Sequence, residues 1–305
     1  MKIFKVNDTM SSTVRKNIFR KILIVDWKGE KYMIIDTHLH IGGEAVGFEM
    51  NEQMVVEAME KYQIAYGLVS NADAAEMTHQ QVLLPDSMQN TQEDCLKRVL
   101  HFAKKYPNKI GACVWVKPYL QGVTKELEQL IADNLDLIYA IKLHPFHSNV
   151  APTDERVLPY LSLAEKYGLA VVSHTGGCEA ASPKHLYEAA KLFPKVPFVM
   201  VHMGLGTDNR EAIDLLGKAD NLYGDTTWVP MATTIEVIRR YGSERMLFGS
   251  DAPIDGVDTY FCNPKGERSI YQDYFHVLKD KMSKEAYENL MYKNAMRIFK
   301  IKELF

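Results

Sequence analysis

From Tyr32 onward the chain alternates between two kinds of segment, and this alternation restricts its fold more than any other feature. Eight short apolar runs recur: "YMIID" from Tyr32, "AYGLVS" from Ala65, "IGACVWV" from Ile110, "YAIKLH" from Tyr139, "AVVSH" from Ala170, "FVMVH" from Phe198, "NLYGDT" from Asn221 and "MLFGSD" from Met246. Near-continuous hydrophobicity of this kind suits parallel strands covered on both faces. Between the runs lie amphipathic segments such as "NEQMVVEAMEKY", "QEDCLKRVLHFAKKY", "VTKELEQLIADN", "DERVLPYLSLAEKYG" and "MATTIEVIRRYG", several closed by a Gly or Asn that stops a helix. Alternating strand and helix implies βαβ units, and eight of them in about 270 residues predict an α/β fold, a closed (β/α)₈ TIM barrel, as one domain over residues 31–305. The rival is a doubly wound open sheet. It calls for a glycine-rich phosphate loop after an early strand, and "HIGGEAVG" lacks the GxGxxG spacing, so these glycines read as a turn.

Residues 1–30 do not share the rhythm. "KILIVDWKGEKYMIID" reads as an extra hairpin with a Lys-Gly turn that feeds the first barrel strand. At the other end, "SKEAYENLMYKNAMRIFKI" begins at a capping Ser with Glu285 close behind it, and predicts one or two helices that close the fold.

Composition narrows the function. Hydrophobic residues at 47% and charged residues at 25% are ordinary for a globular protein, and a net charge of −3 with scattered Lys and Arg offers nothing to nucleic acid. The cluster Arg15, Lys16, Arg20 and Lys21 reads as a solvated face. No apolar stretch approaches the roughly 18–20 residues of a membrane span. "NIFRKILIV" lacks the following cleavage site of a signal peptide, so a cytoplasmic location is expected. Cys95, Cys113, Cys178 and Cys262 are far apart without CxxC spacing, which argues for free thiols over disulfides or a thiolate metal site. A small-molecule substrate is the expected partner, neither nucleic acid nor membrane, and the sequence leaves a homo-oligomer open.

Polar residues of metal-binding type stand at the C-terminal ends of the predicted strands. His38 and His40 end the first, Lys142 and His144 the fourth, His174 the fifth, His202 the sixth and Asp251 the eighth. In a strand, i and i+2 share a face, so His38 and His40 point the same way. In a (β/α)₈ barrel all such ends open onto one mouth, which carries the active site. Neutral imidazoles with one carboxylate suit Zn²⁺ or a similar divalent ion, and a catalytic site keeps a position for water, whose pKa zinc lowers to around 7. His144 and His147 are explained equally well as hydrogen-bonded loop residues. His79, His101, His185 and His276 read as ordinary helix or loop residues.

The motifs "DTHLH", "IKLHP", "SHTG", "VHMG" and "GSDAP", in this order and on these strands, resemble the amidohydrolase superfamily, in particular its amidohydrolase-related (amidohydrolase 2) branch. The resemblance runs from Ile34 to the terminal "NAMRIF". It implies a metal-dependent TIM barrel with His38, His40, His174 and Asp251 as metal ligands. It also implies His202 as the residue that orients or protonates the substrate or its water, and Asp251 as proton acceptor. Two-metal members of the superfamily carry a carboxylated fourth-strand lysine, a role compatible with Lys142. The branch usually holds one ion, which favours one metal here and leaves Lys142 to bind a substrate carboxylate.

The branch mixes hydrolases with non-oxidative decarboxylases. The expected activity is a metal-dependent hydrolase that uses a metal-activated water on a small, carboxylate-bearing ester, lactone or amide. The alternative is a metal-dependent decarboxylase, a lyase of an aromatic or unsaturated acid, and a third reading is an inactive barrel that serves as a binding module. Trp115, Trp228, Lys142 and His144 are candidate substrate-binding residues, since aromatics beside cations suit a planar carboxylate. Lys117 and Arg210 fall nearby but fit a solvated role equally, and Cys178 fits an inert thiol.

Overall fold

A computed structural model describes residues 24–25, 31–254 and 270–302. A short antiparallel pair comes first: β1 (Ile24–Val25) meets β2 (Lys31–Tyr32), with Ile24 opposite Tyr32 and Val25 opposite Lys31. The residues that would form the turn between them, 26–30, and the basic cluster at 15–21 lie outside the described residues.

Eight parallel strands then follow, each but one beginning within a residue of its apolar run. They are β3 (Ile35–Ile41), β4 (Tyr66–Asn71), β5 (Ile110–Trp115), β6 (Ile138–Leu143), β7 (Ala170–Gly176), β8 (Phe198–Leu205), β9 (Leu222–Asp225) and β10 (Met246–Leu247). They pair in strict chain order from β3 to β10. Sheet curvature brings the two ends together. Thr37 N donates to Phe248 O, Asp251 N to His38 O and His40 N to Ala252 O at 2.9–3.0 Å, and a parallel bridge joins Leu39 to Ala252. The ring is therefore closed by β3 and the segment after β10, as the (β/α)₈ reading requires.

The predicted helices lie between the strands, with boundaries set by local chemistry. Asn51 Oδ1 accepts from Met54 N to start Glu52–Lys61, and Thr91 and Thr124 cap Gln92–Lys105 and Lys125–Asp133 in the same way. Gly168, at φ 65°, ends Leu158–Tyr167 in the left-handed conformation that glycine adopts without a Cβ clash. At the C-terminus Ser283 caps Lys284–Glu288, and a π-helical turn at Asn289–Lys293 leads into Asn294–Phe299. The "IGG" glycines form a turn: Gly42 and Gly43 have φ 78° and 93°, and a Cβ on Gly42 would stand 2.2 Å from Asn71 Oδ1.

The core matches the expected two-sided burial. Every residue of β3, β4 and β5 is buried. Inside the ring pack Ile35, Leu68, Cys113, Ala140, Val172, Val199 and Leu247, with Ile298 and Phe299 among them. Cys95, Cys113 and Cys178 are free thiols, and Cys262 lies outside the described residues. No helix among the described residues is long and apolar enough to cross a membrane.

Candidate metal centre and substrate cavity

β3 continues through both histidines instead of stopping before them, so His38 and His40 project from one face into the barrel mouth. Their Nε2 atoms lie 2.8 Å apart. Asp251 Oδ1 stands 2.9 Å from the His40 Nε2 and 3.4 Å from that of His38, although 211 residues separate the acid from His40 in the chain. Among the described residues, His38, His40 and Asp251 are those whose donor atoms all fall within 4.8 Å of one another. Lys142 Nζ completes the knot at 3.0 Å from His38 Nε2.

The far sides of the rings fix what the near sides can do. Thr227 Oγ1 donates to Asp225 Oδ2 at 2.6 Å, so its lone pairs are left to accept from His38 Nδ1 at 3.3 Å. Asp225 Oδ2 stands 3.5 Å from the same nitrogen. A proton on Nδ1 leaves Nε2 as a lone pair aimed at the centre. His40 Nδ1 pairs with Ser70 Oγ at 2.9 Å. Burial, aided by Lys142, pushes His38 well below the usual imidazole range, and burial lowers His40 against the pull of Asp251, so both rings are neutral. Burial works to raise Asp251, but the close approach of His40 and the surrounding charges outweigh it and hold the carboxyl below the ordinary range. Burial lowers Lys142 to about 8.

His174, the fourth ligand that the resemblance implies, lies outside the group of three whose donor atoms fall within 4.8 Å of one another. Its Nε2 donates to Gly176 O at 3.2 Å, and its ring stacks on His144 with centroids 4.3 Å apart. Its Nδ1, a lone pair by elimination, is buried without a hydrogen-bond partner. Such an orphan is the signature of a missing donor or cation. Two neutral imidazole lone pairs, a carboxylate oxygen and this orphaned nitrogen fit a divalent cation by donor type.

His202 lies beyond His174 and His38, with ring centroids 4.7 and 5.7 Å away. Its Nδ1 donates to Thr227 O at 3.2 Å, and burial lowers it to about 4. Its Nε2 is therefore an acceptor. Its backbone N–H donates to Asp225 Oδ1 at 3.1 Å, as does that of Thr227, which makes this buried carboxylate an organiser of both His38 and His202. Burial raises Asp225 to about 7 despite these donors. His202, Trp228 and Asp251 all adopt left-handed backbone, with φ 66°, 58° and 67°. Non-glycine residues in that region carry roughly 1–2 kcal/mol of strain each, concentrated here at the mouth. Gly249 lets the chain pass close: a Cβ there would stand 2.8 Å from Thr227 Oγ1 and 2.9 Å from Asp225 Oδ2.

Above the centre lies a cavity of about 240 Å³, walled by Phe48, Trp115, Phe146 and Trp228 and also lined by His40, His174, His202 and Asp251. Trp115 and His144 stack nearly parallel, at 4.6 Å and 4°. A larger open groove of about 480 Å³ runs past Asp73, Lys97, Arg98 and His101. It holds none of the converging groups, and its cations are paired, Arg98 with Asp73 and Lys97 with Glu126. The smaller cavity is the candidate substrate site.

Trp115, Trp228 and His144 line that cavity. Lys142 does not: it is 1% exposed and its ammonium is turned to His38. Lys117 is equally buried, donating to Gln89 Oε1 and Asn90 O, which pins two loops together. Arg210 is exposed and paired with Asp208, and Cys178 is absent from the lining. Sequence reasoning passed over Asp225, Thr227 and Ser70, set aside His79 and left His147 open; both of these histidines line the cavity. Only the "GDT" at the end of the seventh barrel strand carried a signal, a carboxylate in the same position as the other site residues.

A family model described as Amidohydrolase matches residues 35–301. The chain belongs to the amidohydrolase family. Among solved structures, this amidohydrolase is similar to an uncharacterised TIM-barrel protein from Bordetella bronchiseptica, at 21% identity and TM-score 0.63, over 88% of this chain and 99% of the other. A probable 2-pyrone-4,6-dicarboxylic acid hydrolase from Acinetobacter baumannii aligns at 15% identity and TM-score 0.56, over 88% and 99%. A 5-carboxyvanillate decarboxylase from Novosphingobium aromaticivorans, with manganese bound, aligns at 11% identity and TM-score 0.65, over 88% and 97%. A comparison with curated proteins gave no match. At these identities the solved structures establish the shared barrel alone.

Proposed function

We propose that this amidohydrolase is a metal-dependent hydrolase of a small, planar, carboxylate-bearing ester, lactone or amide. His38, His40 and Asp251, joined by His174 through its orphaned Nδ1, would hold one divalent cation, with Zn²⁺ suited to the donor set and Mn²⁺, as in the Novosphingobium decarboxylase, the alternative. When bound, such a cation polarises a substrate oxygen and lowers the pKa of coordinated water. A second ion would require a carboxylated Lys142. Unmodified, that lysine places a positive charge beside His38 that favours an anionic substrate.

The observation that carries hydrolysis is the hydrogen bond from His202 Nδ1 to the Thr227 carbonyl. It leaves Nε2 as a proton acceptor in the cavity, which is what deprotonation of an attacking water requires. Asp251, the other candidate base, accepts and relays a proton to the leaving group. Trp115 and Trp228 hold a flat substrate between aromatic walls. Those same walls favour a second reading, decarboxylation of an aromatic or unsaturated acid, which is the reaction of the Novosphingobium protein.

The two are separated by incubating metal-loaded protein in ¹⁸O-water with lactones, esters and amides and, separately, with hydroxybenzoates. Incorporation of ¹⁸O into a new carboxylate is the expected result. Release of CO₂ without such incorporation would make the protein a lyase, and protein that takes up no divalent ion and is inert toward both panels would be a binding module.

A further inference from the structure

The cavity wall contains one polar group whose direction the backbone fixes and whose purpose the chemistry above leaves open. His144 follows β6 and caps the short helix Pro145–Ser148: the His147 N–H donates to the His144 carbonyl at 2.9 Å and, as a shared bond, to the His144 Nδ1 at 3.3 Å. The helix is anchored in turn. His147 Nδ1 donates to Met77 O at 2.7 Å, and the His147 carbonyl accepts from the N–H groups of Glu76 and Met77. An imidazole that accepts through Nδ1 and is neutral must carry its proton on Nε2. Both faces of the ring are covered, by Trp115 on one side and His174 on the other. Only its edge remains for a ligand, and the ring lines the cavity.

We infer that His144 is a specificity-determining residue whose Nε2–H donates, in the ring plane, to an uncharged acceptor oxygen of the substrate such as a lactone, ester or amide carbonyl. This rests on the cavity being the substrate site and extends the proposed function by naming what the wall recognises. The lining offers no Arg or Lys among the described residues, so the wall selects by a neutral donor instead of a second cation. A ligand with two anionic groups is thereby disfavoured, since each buried charge needs its own partner.

Two amide replacements separate recognition from helix capping. In His144→Asn the amide oxygen reproduces the Nδ1 acceptor and keeps the cap while removing the Nε2–H. In His144→Gln the longer amide restores a donor near the Nε2 position and weakens the cap. Binding to the full-length, metal-loaded protein is measured by calorimetry with coumarin, a planar neutral lactone, as probe, so the readout does not depend on turnover or on whether the chemistry is hydrolysis or decarboxylation. His144→Asn should melt above His144→Gln, since both lose the ring stacked between Trp115 and His174 and only Asn keeps the cap, and should bind coumarin about 2- to 13-fold more weakly than wild type, the worth of one neutral hydrogen bond. His144→Gln should bind within about 2-fold of wild type, although less stable. The reverse order, with Asn binding as wild type and Gln weakened, would show a purely structural cap and overturn the inference. Failure of the wild-type protein to bind coumarin would overturn it as well, whatever reaction the enzyme proves to catalyse.

Discussion

Closure of the barrel between its first and last strands places His38 and His40 beside Asp251, and Asp36 is the side chain that ties this seam. Its Oδ1 accepts from His38 N at 3.0 Å and Ser250 N at 3.1 Å, and its Oδ2 accepts from Ser250 Oγ at 2.5 Å. The carboxyl is fully buried. In Asp36→Ala both backbone N–H groups lose their acceptor away from water, at about 1–3 kcal/mol each, or about 2–6 kcal/mol together. Removing a buried polar group returns part of this, so a net loss of about 2–4 kcal/mol is predicted. Asp36→Asn keeps one carbonyl oxygen for the same two N–H groups and should lose about 1 kcal/mol or less. Urea unfolding of the chelated protein, followed by tryptophan fluorescence near neutral pH, measures both, and against a typical total of about 5–15 kcal/mol the difference is large. Chelator competition should also show weaker metal binding in the alanine variant, because an open seam moves the two histidines away from Asp251. Equal stability of the two variants, or a loss under about 1 kcal/mol in Asp36→Ala, would refute the claim that this carboxyl holds the seam.

Two further predictions concern other buried carboxylates. Asp225→Asn should fold normally yet bind its metal about 10- to 100-fold more weakly, since it orients His38 from the far side of the ring; unchanged affinity in a competitive chelator titration would exclude that role. Burial raises Glu76, which accepts from Leu120 N at 2.6 Å and Tyr119 N at 3.3 Å, from its ordinary 4.5 to about 7. The unfolded chain thus releases this proton first as pH rises, and Glu76 costs stability progressively between 4.5 and about 7, by at most about 3 kcal/mol, with no cost at lower pH. Glu76→Gln should therefore gain stability relative to wild type above that window and not below it, and a pH-independent difference in urea midpoints would count against the assignment.

The sequence by itself determined the architecture and the polar residues brought to the mouth. Both follow from local rules. Apolar runs of strand length, helices with Asn51, Thr91 and Thr124 at their caps, and a His-x-His pair that must share a strand face are written in consecutive residues. Once eight parallel strands close, every strand end is compelled to meet the others, which is why His38, His40 and Asp251 were legible together. Tertiary structure alone decided how each side chain is used. Lys142 turns to His38 across 104 residues of chain, and Thr227 reaches that histidine's other nitrogen across 189. The Gly176 carbonyl turns the His174 ring so that Nδ1 is left without a partner, and His147, unremarkable in the sequence, fixes which nitrogen of His144 carries the proton. Proton positions and ligand geometry depend on atoms a few ångströms apart, and neighbours at that range are set by packing between distant segments, which periodicity and composition do not encode.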